Sequence, residues 1–417
     1  MKDTEAIITR QKYHTRFRNE DMDFIFTWFL GVSVLYGMSP SQAFLAVTGC
    51  RDGSPSDWRR GFLRQARWLT DTARTSAAAG ELMLAGQAAL GSATAFRAAL
   101  QYVDPSAADF TALVEEMEGQ FQAGARFLGI PVRPIEVPFE GKTLAGYLLQ
   151  HDARRRPLLV MVGGGDSYRE DLFAFAGYPG WKRGYNVLMV DLPGQGKMPA
   201  RGFTFRPDMG GAVTTVIDWA EANLGPCLGK TAVYGVSGGG YISAQAAARD
   251  SRIEAWVAST PLWDLARVMR REFAAALRAP RWLVRTALRA ARRANEGADI
   301  NLRKYAWQFG TEDFAGAVEG ICAQAAPVDL RSIRCPSLFL VGESEAEDLK
   351  RQADEARDIM TGSGTEVTLR VFTAQEGGDA HCQVNNFRAA HVVVFDWLDR
   401  VLDYRPPEGE RDKRLLC

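Results

Sequence analysis

Residues 235–239 read Gly235-Val236-Ser237-Gly238-Gly239, a serine in the pattern G-x-S-x-G. An apolar run, Lys230-Thr-Ala-Val-Tyr234, precedes it, and a run of helical composition, Tyr241-Ile-Ser-Ala-Gln-Ala-Ala-Ala-Arg249, follows. Strand, sharp turn and helix is the setting in which this motif forms a nucleophile elbow, with the serine hydroxyl lifted to the tip of a sheet. Small neighbours are needed because the turn backbone approaches both strand and helix. A Gly-rich strand-to-helix loop without chemistry is the plainer alternative, and the two flanks favour the elbow.

Outward from the elbow, short apolar strands alternate with helices. Strand patterns cover 157–162, 185–190, 231–234, 253–258, 337–341 and 367–372, and amphipathic helices fit 208–223, 345–360 and 389–402. Ahead of them, 132–139 and 144–149 form a hairpin pattern around Glu140-Gly141-Lys142. Continuous apolar strands between helices predict an α/β fold, a mostly parallel central sheet covered by helices on both faces. Residues 262–328 interrupt the alternation with a helical, Arg- and Ala-rich insertion (Arg267, Arg270, Arg271, Arg278, Arg281), read as a cap whose arginines form a solvated face rather than an anion site. The spacing of apolar residues in 58–68 and 110–127, and the alanines of 77–99, predict helices before Pro131. The expected organisation is a helical N-terminal domain (1–130), the core in two parts (131–261 and 329–403), the cap (262–328) between them, and a loose tail (404–417).

At 417 residues the chain exceeds one ordinary core. Fifty basic and fifty acidic residues cancel, which leaves no electrostatic case for nucleic acid or an anionic membrane as partner. The apolar run 24–38 is short for a membrane span, follows Glu20, Asp21 and Asp23, and lacks a small-residue cleavage site, so it is expected to be a buried helix. Six scattered cysteines (Cys50, Cys227, Cys322, Cys335, Cys382, Cys417) show no metal-ligand spacing and fit reduced thiols in a cytoplasmic protein. Cys382, beside a histidine, is read as a packing residue.

A serine hydroxyl needs a base within hydrogen-bond reach, and the base needs an orienting acid. After an elbow serine the partners follow in the order acid, then histidine. Of four histidines, His14 and His151 precede Ser237, and His391 lies inside an amphipathic helix. His381 remains, in Gly377-Gly-Asp-Ala-His-Cys-Gln-Val-Asn-Asn386, between the last strand and the last helix. The acid should follow strand 337–341, where the loop reads Gly342-Glu-Ser-Glu-Ala-Glu-Asp348. Its G-x-x-acid spacing selects Glu345; Asp348, Glu343 and, after an earlier strand, Asp264 are the alternatives. The oxyanion needs backbone N–H donors. Gly238 should supply one. The second should come from Gly163-Gly-Gly-Asp-Ser-Tyr-Arg-Glu-Asp171, with Gly165 chosen and Gly164 second. A phosphate-cradling loop would need Gly-Lys-Ser/Thr, which this loop lacks.

Asp191-Leu-Pro-Gly-Gln-Gly196 resembles the D-x-P-G-x-G turn of α/β-hydrolases, where its role is structural. Residues from about 130 to 403 as a whole resemble that superfamily. The helical N-terminal region, the stretch Gly164 to Asp171 and the elbow narrow the resemblance to one branch. It holds the 2,6-dihydroxypseudooxynicotine hydrolase, fungal polyketide-shortening hydrolases and fermentation-respiration-switch-type esterases. The resemblance implies hydrolysis of a C–C bond beside a ketone in a small molecule such as a β-diketone or acyl-aromatic. It implies a Ser-acid-His triad, no metal and no organic cofactor, and a homodimer as in several members. The chain departs from the branch in carrying glutamate for the usual aspartate and in lacking a histidine before the oxyanion glycines. An ester, thioester or amide hydrolase with the same triad, an acyl-transfer cyclase, and a non-catalytic binding protein on the same scaffold are the other readings.

Overall fold

The structure, a computed structural model, describes residues 10–152 and 154–406. The tail from residue 407 onward, Cys417 included, lies outside the described residues.

Eight strands form one sheet in the order β1-β2-β4-β3-β5-β6-β7-β8. They are β1 (Val132–Phe139), β2 (Lys142–Leu149), β3 (Arg156–Val162), β4 (Asn186–Val190), β5 (Leu228–Val236), β6 (Ile253–Ser259), β7 (Ser337–Gly342) and β8 (Val367–Phe372). β1 and β2 form an antiparallel hairpin, β2 joins β4 antiparallel, and the rest are parallel. Side chains alternate between the faces, as the pleat requires. Leu159 and Met161 of β3 enter one apolar cluster, while Leu158, Val160 and Val162 enter the other.

The helices Glu20–Ser33, Pro55–Ala78, Leu82–Leu100 and Phe110–Phe127 cover the first face. They share one cluster with that face, so Trp58 and Phe62 belong to the same core as Tyr234 and Leu340. In Pro55–Ala78 the buried Trp58, Phe62, Gln65, Leu69 and Ala73 recur at helical spacing, with Ser54 capping the start. The alanines and glycines of Leu82–Leu100 let that helix sit in close contact with both neighbours: a Cβ on Gly124 would stand 2.8 Å from Leu90. The apolar run expected to be a buried helix lies largely in Glu20–Ser33, and no described helix is long and apolar enough to cross a membrane.

Buried charges join these helices to the sheet. The Arg97 guanidinium grips both oxygens of Asp171 at 2.8 and 3.0 Å and donates to the Asp166 carbonyl at 2.8 Å. Arg169 pairs with Glu118 at 2.9 Å, and Lys197 reaches the same carboxylate at 2.6 Å. Asp191, at the end of β4, accepts the Arg169 N–H at 2.7 Å; burial pushes its carboxyl well above the usual range.

Between β6 and β7 five helices, Leu265–Glu272, Ala274–Arg278, Arg281–Ala294, Glu296–Phe309 and Phe314–Gln324, form the insertion expected as a cap. Of the arginines read as a solvated face, several are tied down. Arg267 pairs with Glu355, Arg271 with Asp348 and Arg281 with Glu319, and Arg270 donates to the Cys322 carbonyl, whereas Arg278 is exposed.

Candidate active site

The candidate residues meet at the C-terminal ends of β5, β6 and β7. Ser237 follows β5 directly and has φ +55°, left-handed backbone unusual for a residue with a side chain. The surrounding glycines make this turn possible. A Cβ on Gly235 would collide with the Gly239 carbonyl and Ser243, and one on Gly239 with the Val162 carbonyl. The Ser237 N–H donates to the Ser259 carbonyl at 2.5 Å, which fixes the turn against β6.

Ser237 Oγ lies 2.9 Å from His381 Nε2, and His381 Nδ1 lies 2.8 Å from Glu345 Oε2. The Glu345 side chain is fully buried. Its Oε2 also accepts the Thr260 hydroxyl at 2.5 Å and its Oε1 the Gly342 N–H at 2.9 Å. Burial of the His381 ring opposes its charge, but the neighbouring Cys382 sulfur and the Glu345 carboxylate favour the imidazolium and lift its ionisation above the usual value. Cys382 Sγ donates to the Ser259 carbonyl at 3.0 Å. The Ser344 hydroxyl donates to Asp379 at 2.5 Å, stapling the acid loop to the loop that carries His381.

The alternative acids stand elsewhere. Asp264 caps Leu265–Glu272 by accepting the Arg267 N–H at 2.9 Å, Asp348 pairs with Arg271 at 2.9 Å, and Glu343 accepts the Ala374 N–H at 3.0 Å. Each is held by a local partner on another side of its loop or helix. His391 is half-buried and neutral: its Nε2–H is shared by the Ala174 and Phe175 carbonyls at 3.0 and 2.9 Å, and desolvation pushes its ionisation down to about 4.

Gly165 borders open space, and its amide nitrogen lies 3.5 Å from the point where a Gly238 Cβ would stand. The three carbonyls of the Gly163–Gly165 turn are held from behind. Gln195 Nε2 donates to Gly163 at 2.5 Å, Ser167 Oγ to Gly164 at 3.1 Å, and Gln308 Nε2, from the cap, to Gly165 at 2.6 Å. Fixing the acceptor side of these peptides fixes where their N–H groups aim. Thr260 and Gln308 carry no sequence signal, since each acts through a partner far away in sequence; Gln195 belongs to the D-x-P-G-x-G turn and acts structurally, by holding Gly163.

Above Ser237 opens a cavity of about 910 Å³. Helix Glu20–Ser33 contributes Met22 and Ile25 to its wall, and the cap contributes Leu265, Val268, Phe273 and Phe314. Volume and apolar lining suit a small organic molecule. Among the described residues no group of His, Cys, Asp or Glu has the makings of a metal site.

Sheet order, elbow and cap make the chain an α/β-hydrolase enzyme. It belongs to the X-Pro dipeptidyl-peptidase (S15) family, whose model matches residues 137–357, more than half of the chain. Over nearly its whole length it is similar to fungal hydrolases. It is 26% identical to the hydrolase LUC6 of a Fusarium species, over 95% of this chain and 100% of the relative. It is also 26% identical to the 20-hydroxy-prefusarin hydrolase FUS2 of Gibberella moniliformis, over 93% and 97%. Among solved structures the 2,6-dihydroxy-pseudo-oxynicotine hydrolase shares the fold, with TM-score 0.66, 20% identity, and coverage of 89% of this chain and 95% of that one.

Proposed function

We propose that this chain is a serine hydrolase that cleaves a C–C bond beside a ketone in a β-diketone or acyl-aromatic, polyketide-like substrate. The observation that carries the serine mechanism is the hydrogen-bonded line Ser237–His381–Glu345, at 2.9 and 2.8 Å, on the floor of the apolar cavity. In this reading His381 takes the Ser237 proton as Oγ adds to a carbonyl, Glu345 orients the ring and balances its charge, and the Gly165 and Gly238 amides receive the oxyanion. Collapse expels a carbanion stabilised as an enolate or phenolate. Water activated by His381 then releases the acyl group from Ser237. The choice of C–C cleavage is supported by the branch resemblance and by the small-molecule hydrolases to which the chain is similar. Ester, thioester or amide hydrolysis would use the same groups, and the family name attaches to an amide bond.

A fluorophosphonate probe should label the protein at Ser237 and fail on Ser237→Ala. Side-by-side turnover of a nitrophenyl ester and a 1,3-diketone separates the substrate classes. Product mass separates hydrolysis, which adds water, from cyclisation. Absence of labelling in the intact protein would sink the serine reading.

A further inference from the structure

We infer that Arg10 is a catalytic residue that receives the enolate oxygen of the departing group in C–C cleavage; this rests on the reading just proposed. Arg10 lies on the segment that crosses the site ahead of helix Glu20–Ser33. Its carbonyl accepts the His381 backbone N–H at 2.8 Å. Its guanidinium lies over the Phe24 ring, 4.1 Å from the centroid, and that ring lies 6.2 Å from the His381 ring. Asp166, which follows the proposed oxyanion donor Gly165, and Tyr305 line the same cavity and favour its charge. Arg10 thus lines the same cavity as Ser237, His381 and Gly165, with one ring between its guanidinium and the base.

Its hydrogen bonding leaves capacity. A guanidinium has five N–H donors. Among the described residues the Arg10 side chain makes one hydrogen bond, to Asp21. Asp21 is itself steadied by Tyr102 and Asn301, each at 3.3 Å, so the cation is anchored with donors to spare. The other arginines on the cavity, Arg206, Arg281 and Arg285, are engaged with Glu140, Glu319 and Asp313. Asp166 lies 3.3 Å from Lys304, and with Asp21 beside Arg10 the wall is balanced in charge. Such a wall has little net attraction for an anionic substrate but presents a fixed cation to charge that develops during reaction.

An ester hydrolase with a good leaving group has small need of this group; a C–C hydrolase does. A 1,3-diketone carries two oxygens, one for the Gly165 and Gly238 amides and one within reach of a planar fork of donors. Ser237 Oγ adds to the first carbonyl and its proton passes to His381. The C–C bond then breaks, and its electron pair moves onto the second carbonyl as an enolate held by Arg10. The proton on His381 goes to the α-carbon, a ketone leaves, and water opens the Ser237 ester to a carboxylic acid. One water is consumed in all.

The test compares wild type, Arg10→Gln and Arg10→Lys on a 1,3-diketone and on the nitrophenyl ester of the same acyl group. Arg10→Gln should lower kcat on the diketone about 100-fold more than on the ester, the scale of losing one oxyanion donor. Arg10→Lys should recover part of the difference. The rate of fluorophosphonate labelling at Ser237 reports whether the triad remains assembled. Parallel loss on both substrates, or no loss on the diketone, would overturn the role given to Arg10. A wild type that hydrolyses the ester and no diketone would instead overturn the C–C reading on which it rests.

Discussion

Gln308, on the cap helix Glu296–Phe309, donates to the Gly165 carbonyl at 2.6 Å, so the cap holds the peptide that directly follows the N–H proposed as an oxyanion donor. The cap is thereby tied to the chemistry as well as to the shape of the cavity. Gln308→Ala should lower kcat about 10-fold with little change in KM, less than outright removal of an oxyanion donor. Steady-state kinetics on a nitrophenyl ester would check this. A change confined to KM would mean that the contact only shapes the pocket.

The ionisation of His381 is raised, and an imidazole must be neutral to accept the Ser237 proton. The acidic limb of the pH profile should therefore lie above about 6.5, the ordinary imidazole value. Glu345→Gln removes one of the groups that favour the imidazolium. It should shift that limb to lower pH and reduce kcat by about 10³–10⁴-fold, as in other triads that lose the acid. The same shift stabilises the folded state most fully below about pH 6.5, a contribution lost as pH climbs through the raised value. A limb that stays in place in the variant would contradict the pairing.

Arg97 and Asp171 are both buried, at 3% and 6% side-chain exposure. Arg97→Ala would leave the carboxylate without its cation and should cost about 3–5 kcal/mol of stability, the usual penalty for breaking a buried pair. Urea unfolding measures it. An unchanged midpoint would show that this pair does not hold the helices on the sheet.

His391 has the opposite sign to His381. Desolvation keeps it neutral down to about 4, whereas the unfolded chain gains the proton near 6.5. Stability should therefore fall as pH drops from about 6.5 to 4. His391→Gln, which can still donate to a carbonyl, should flatten that dependence in urea unfolding at pH 7 and pH 4.5. An identical slope in the variant would assign the acid sensitivity to other groups.

Much of this arrangement was legible because strong local patterns carry it. Ser237 announced itself through glycines that a turn at φ +55° requires, and His381 through its place between the last strand and helix. Glu345 could be chosen among crowded acids by spacing, but only geometry shows why its neighbours do other work: Asp264 caps a helix and Asp348 answers Arg271. Arg10, Thr260 and Gln308 carry no sequence signal for one shared physical reason. Each acts through a bond to a distant partner, so no local period or motif marks it. The helical region was visible as helices. Its sharing of one apolar cluster with the sheet was not, because helical periodicity shows which face is buried and not against what.

The His381 N–H to Arg10 carbonyl bond has a consequence for biogenesis. A ribosome delivers Arg10 before Ser237, and Glu345 and His381 after it, so the nascent polypeptide carries Ser237 for more than a hundred residues before the groups proposed to arm it exist. The proposed serine chemistry thus has to wait until His381 has emerged and closed onto the segment made first.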